Sequence, residues 1–161
     1  MTAATEWQDD RVRPSLYEHA GGDAAFLRLA RAHHERCLAD PELNHPFSHD
    51  DLDPAHVERL AAYWAEVLGG PPAYSASLGD QSHLLDMHAG NGPMDDLGRR
   101  FVACFDTAVD DAGLPDDVEF RTALHDYMTW AVSDVLVYAP VDSEVPAGVR
   151  MPHWSWDGLQ D

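Results

Sequence analysis

An all-α fold of one domain is what this sequence predicts, on three observations. Apolar residues recur every three or four positions, the spacing that lines one helix face, while the apolar–polar alternation of strands is scarce. Gly, Pro, Ser and Asp cut that periodicity into helix-length pieces. The 161 residues are 45% apolar and include five Trp, five Phe and five Tyr, enough for one core and too much for a disordered chain. No internal repeat and no low-complexity tract beyond scattered acidic pairs interrupts this pattern.

The first short helix begins at Ser15, with Glu18 three residues on as in a capping box, and stops at Gly21-Gly22. Asp23 is expected to cap a second helix carrying Phe26, Leu27, Ala30, His34, Cys37 and Leu38, which ends before Asp40-Pro41. A polar corner follows, Asn44-His45-Pro46-Phe47-Ser48-His49. Asp53-Pro54 opens a third helix whose inner stripe reads His56, Leu60, Tyr63, Trp64 and Val67, closed by Gly69-Gly70-Pro71. Residues 71 to 82 read as a loop into a short segment, Ser82 to Ala89, cut by Gly90-Asn91-Gly92-Pro93. A fourth long helix, about Met94 to Ala112, aligns Leu97, Phe101, Cys104, Phe105 and Ala108 on one face. The last runs from about Pro115 to Tyr138 and buries Phe120, Leu124, Tyr127, Met128, Ala131 and Val135. The expected organisation is an N-terminal extension (1–14), a helical domain (15–139) and a C-terminal extension (140–161) that is ordered or semi-ordered.

Charge and residue usage exclude several function classes. Ten basic residues against 29 acidic give a net charge of −19 and a pI near 4.5, so nucleic-acid backbones and anionic lipid are repelled. All the basic residues are Arg; without Lys there is no P-loop lysine and no Schiff base. Cys37 and Cys104 are the only cysteines and form no CxxC or CxxCH, which argues against a zinc ribbon, a dithiol redox pair or covalently attached haem; both are expected as core. No apolar run reaches transmembrane length and the first residues are acidic, so the expected location is the cytoplasm.

Ten His among these residues point to the chemistry. His56 lies on the apolar stripe of the third helix, and His88 ends the interrupted segment Leu84-Leu85-Asp86-Met87-His88-Ala89. An imidazole in apolar surroundings needs a partner for each nitrogen. For His88, a metal on one nitrogen and the Leu84 carbonyl, four residues back, on the other would satisfy both. A locally bonded core histidine is the simpler reading of either residue taken singly. Taken together they face a space lined by Phe47, Leu60, Phe101 and Phe105, a slot with iron ligation from one wall and a polar contact from the other, which is what a haem requires.

The motifs resemble those of the truncated haemoglobins, group II in particular. The matching landmarks are Leu16-Tyr17-Glu18 with Gly21-Gly22, Leu38-Ala39-Asp40-Pro41, Phe47 and Glu58-Arg59-Leu60. They continue with Gly69-Gly70-Pro71-Pro72-Ala73-Tyr74-Ser75 and His88-Ala89, so that the likeness spans about Ser15 to Tyr138. The resemblance implies a helical two-over-two sandwich around a non-covalent haem b. It makes His88 the proximal iron ligand and sets Phe47 on the porphyrin face. His56 and His34 fall at distal positions, with His33 as the alternative inward residue, and Leu60 walls the pocket. Tyr63, Trp64, Met87, Phe101 and Phe105 complete it, and Arg59 with Tyr74 (or Tyr63) would meet the propionates.

Three positions depart from the group II pattern: His34 stands for Tyr, Phe101 for Trp, and Met87 for an Arg before the proximal His. Phe101 has no donor, so His56 and His34 would supply the N–H that holds a polarised ligand. His56 ligating the iron directly in a six-coordinate resting state is the other arrangement this sequence allows.

The resulting expectation is a haem protein that binds O2 and other diatomic gases such as NO and CO. Redox turnover of NO or peroxide, of the dioxygenase or peroxidase kind, would need an external electron donor. The chain is expected as a monomer or homodimer. Two other classes compete: a helical non-haem metal protein, which would lack the paired Glu-x-x-His of a di-iron bundle, and a helical partner-binding domain without cofactor.

Overall fold

The computed structural model describes residues 13–44 and 54–161. Phe47, the expected cap Asp53, His45 and His49 lie outside the described residues. Within them the chain forms seven helices and one hairpin. Helix α1 spans Leu16–Ala20, α2 Asp23–Ala39, α3 His56–Val67, α4 Ala73–Ser77, α5 Gln81–His88, α6 Asp95–Asp111 and α7 Val118–Leu136. Strands β1 (His153–Ser155) and β2 (Gly158–Gln160) close the chain.

Local chemistry sets three of the helix starts. Ser15 Oγ accepts the Glu18 N–H at 3.2 Å, Asp80 Oδ1 the His83 N–H at 2.8 Å, and Asp117 Oδ2 the Phe120 N–H at 3.1 Å. Helix α2 departs from expectation at its start: Gly22 is the cap, and Asp23 accepts the Tyr17 hydroxyl at 2.9 Å. A carboxylate in that first turn also favours the positive end of the helix dipole. At the other end, Asp40 accepts the Glu42 and Leu43 N–H groups and the Arg100 guanidinium, fixing the turn at Pro41. Residues 71 to 82, expected as loop, contain α4. Its Ser75 N–H donates at 2.8 Å to Glu66, a carboxylate buried on α3, so the short helix is held by a tertiary bond that periodicity does not encode.

The core lies where α2 packs against α3 on one side and α6 on the other, and α6 against α7. Phe26, Leu29, Phe105, Phe120, Leu124 and Tyr127 are among its fully buried members. Backbone contact fixes the bend after α3. A Cβ on Gly70 would fall 2.7 Å from the Ala65 carbonyl and 2.7 Å from the Tyr17 ring, so only glycine lets the chain turn against α1. Gly98 likewise lets α6 approach α7, since a Cβ there would meet Val132 at 2.8 Å.

Beyond Pro140 the chain crosses α5 and folds into the antiparallel hairpin, with Trp154 paired to Leu159. Trp154 packs at a tilt on Tyr127 and Trp130, at ring centroid distances of 5.9 and 5.7 Å. Trp156 rests on His19 and Phe120, and its indole N–H donates to the Pro14 carbonyl at 2.8 Å. Arg13 covers the other face of that ring. Among the described residues no helix is long and apolar enough to cross a membrane.

Candidate haem site

His88 is the last residue of α5 and is exposed. Its Nδ1–H donates to the Leu84 carbonyl at 2.7 Å, the bond its position in the sequence called for. A carbonyl can only accept, so Nδ1 carries a proton, and in the neutral imidazole Nε2 has the lone pair. That tautomer fits iron ligation, and the bond fixes the ring relative to the helix.

Helix α5 buries little of itself; Gln81 and Leu85 are its buried residues. Polar ties hold it instead. The Tyr63 hydroxyl of α3 donates at 2.7 Å to Gln81 Oε1, joining the helix that carries His56 to the one that carries His88. Burial pushes the Tyr63 hydroxyl well above the usual tyrosine range, so this donor stays protonated.

The histidines of α2 and α3 converge. His34 and His56 lie 5.6 Å apart between ring centroids, with His34 Nδ1 and His56 Nε2 both shielded from solvent. His33, the alternative inward residue of the sequence reading, also turns in and is fully buried. The two neighbours straddle the seam between helices: His34 meets α3 at His56, and His33 packs between α3 and α6. The His33 ring packs edge-on against Phe101 at 4.5 Å, Trp64 at 5.4 Å and Phe105 at 6.0 Å. Its Nε2 approaches the Phe101 carbonyl at 3.4 Å and the Cys37 sulfur at 3.6 Å. Burial pushes His33 down to about 4, with His34 and His56 adding to the effect, so its imidazole is neutral at physiological pH.

The remaining expected residues divide by depth. Leu60 and Phe101 are half-buried beside the histidines, whereas Trp64 and Phe105 are core, packed on each other at 5.2 Å. Met87 is exposed. Tyr63 and Tyr74 are buried and pack edge-on at 5.1 Å, and the Arg59 guanidinium reaches both the Tyr74 hydroxyl and the Leu78 carbonyl. Cys37 is buried as expected and Cys104 partly so; burial raises both thiols. Glu66, Gln81 and Ser82 were not singled out from the sequence. Asp80, which caps α5, is the sequence signal that could have found the last two, and none marks Glu66.

The donor set fits a haem. One imidazole offers Nε2 from a fixed ring, a pair of imidazoles stands on two other helices, and aromatic groups pack on His33 beside that pair. Among the described residues no three His, Cys, Asp or Glu side chains gather to hold a bare metal ion, so the non-haem alternative gains no geometric support there.

Fold and site together define the class as a globin. The profile of the bacterial-like globins matches residues 15–134, and the chain belongs to that family. Among solved structures it is similar to a thermostable hemoglobin from the actinobacterium Thermobifida fusca, at 30% identity over 84% of this chain and 100% of that one (TM-score 0.62). A hemoglobin from Chloroflexus aurantiacus is 29% identical over 76% of this chain and 98% of that one (TM-score 0.62). The group II truncated hemoglobin of Bacillus anthracis shares the fold at 20% identity, over 81% of this chain and 95% of that one (TM-score 0.66). No curated protein sequence matches the chain. The protein is thus a truncated-haemoglobin-like globin, and haem is the cofactor of its family.

Proposed function

We propose that the protein binds O2 and other diatomic gases, NO and CO among them, at a haem b whose iron is held by His88. The observation that carries the reading is the 2.7 Å bond from His88 Nδ1 to the Leu84 carbonyl, which leaves Nε2 as the ligating atom. The haem would supply a ferrous iron able to bind a diatomic ligand at its distal face.

The chain's own residues do the rest. His56 and His34 offer N–H donors to a polarised ligand, a duty Phe101 cannot share. His33, Trp64 and Phe105 keep water from the back of that wall. Arg59 stands beside Tyr74 as a cation for a propionate. Redox turnover would draw electrons from a separate donor. We place the protein in the cytoplasm, as a monomer or homodimer.

An absorption spectrum is the direct test. A Soret band that shifts on reduction and again on adding CO is the expected result; a featureless visible region would end this reading. His88→Ala should abolish stable haem binding while far-UV circular dichroism remains helical.

A further inference from the structure

We propose that Ser82 is a positioning residue for His88, acting through α5 and locked by the C-terminal segment that crosses it. The inference rests on the reading of His88 as the iron ligand. Ser82 stands in the first turn of α5, and its hydroxyl is used twice. It donates to the Pro146 carbonyl at 2.8 Å and accepts the Val149 N–H at 2.9 Å. Both partners belong to the segment between α7 and the hairpin, beyond the residues matched by the family profile.

That segment is anchored at both ends. On one side the Gly90 and Gly92 N–H groups donate to the Tyr138 and Ala139 carbonyls at 2.9 and 2.7 Å, which also ties down the far end of α5. On the other side the tryptophans of the hairpin are seated on α7 and α1. Ser82 therefore joins α5 to a fixed support, just as Gln81 beside it joins α5 to α3.

Geometry makes this matter for the imidazole. Helix α5 has eight residues and a small buried face, so packing alone leaves it free to rock. The bond to Leu84 makes the His88 ring move with the helix backbone. The placement of α5 therefore sets the angle at which Nε2 meets the iron, and a 1 Å loosening of a supporting residue is enough to change ligation.

The test uses the full-length, haem-loaded protein with two readouts: the iron–histidine stretching band of the ferrous form, by resonance Raman, and the rate of haemin transfer to excess apomyoglobin. Ser82→Ala should shift or broaden the band and speed haemin loss about five-fold, the factor set by the net worth of a lost hydrogen bond. Ser82→Thr, which keeps the hydroxyl, should restore both. Val149→Pro removes the N–H donor from the strap and leaves α5 intact; it should reproduce the alanine phenotype. Unchanged band and rate in Ser82→Ala, or an effect of Ser82→Ala that Val149→Pro does not share, would overturn the proposal. His88→Gly separates the two levels: loss of its band with a silent Ser82→Ala defeats the Ser82 role alone. A band that persists in His88→Gly defeats the ligand assignment and the Ser82 role with it.

Discussion

Three histidines meet where α2 crosses α3, and burial gives them different duties. His33 is sealed in the core, and its imidazole is held neutral down to about pH 4 against an ordinary value of 6.5. Below pH 6.5 the unfolded chain takes up a proton at this residue and the folded chain does not. Stability therefore falls as pH drops through the window from 6.5 to 4, by at most about 3 kcal/mol from this group. His33→Phe should flatten that part of the pH dependence. Urea midpoints between pH 7 and 4.5 would decide it, and parallel curves for the two proteins would refute it. His56 and His34 stand at the edge of that core with ring atoms turned inward. His56→Leu should speed O2 dissociation by roughly 10-fold, the loss of one charge-assisted hydrogen bond, and His34→Leu should act in the same direction. Stopped-flow displacement of O2 by CO measures both, and an unchanged rate removes that residue from the distal role.

Elements in this protein are set locally and placed by polar ties. Ser15 caps the helix that its position in the sequence announces, and the structure adds Asp80 and Asp117 as caps that the sequence reading did not name. By contrast α4 depends on Glu66, which lies on a different helix and carries no sequence signal of that duty. The bend after α3 depends on Gly70, where a methyl would collide with the Tyr17 ring and the Ala65 carbonyl. Gly70→Ala should cost about 1–3 kcal/mol, the usual range for overpacking. Chemical denaturation checks this, and Gly92→Ala is a useful contrast because nothing stands within 4 Å of its Cβ direction, although its positive φ adds a backbone cost. If Gly70→Ala proves no more harmful than Gly92→Ala, the close approach of α1 to this bend is not what selects glycine.

For the whole molecule, folding and cofactor binding are one equilibrium. A haem that prefers the folded chain to the unfolded one stabilises it, so removing haem should lower the melting temperature of the protein and make that temperature depend on added haemin. Calorimetry of apo and haem-loaded samples tests this; identical melting would mean that haem does not select the folded state. The charge of −19 adds a second lever, since its self-repulsion is screened over about 8 Å at physiological salt.

The sequence by itself determined the long helices, the Ser15 cap, and the pairing of His88 with the Leu84 carbonyl, because these are interactions between residues at most four apart. It also put His56, Leu60 and Trp64 on one face, since a single helix repeats every 3.6 residues. Tertiary structure alone decided that His33 and His34 both turn inward, that Tyr63 and Glu66 brace neighbouring helices, and that the C-terminal tryptophans dock on α1 and α7. Those outcomes depend on where separate helices cross, a property of packing between distant segments that no local periodicity contains.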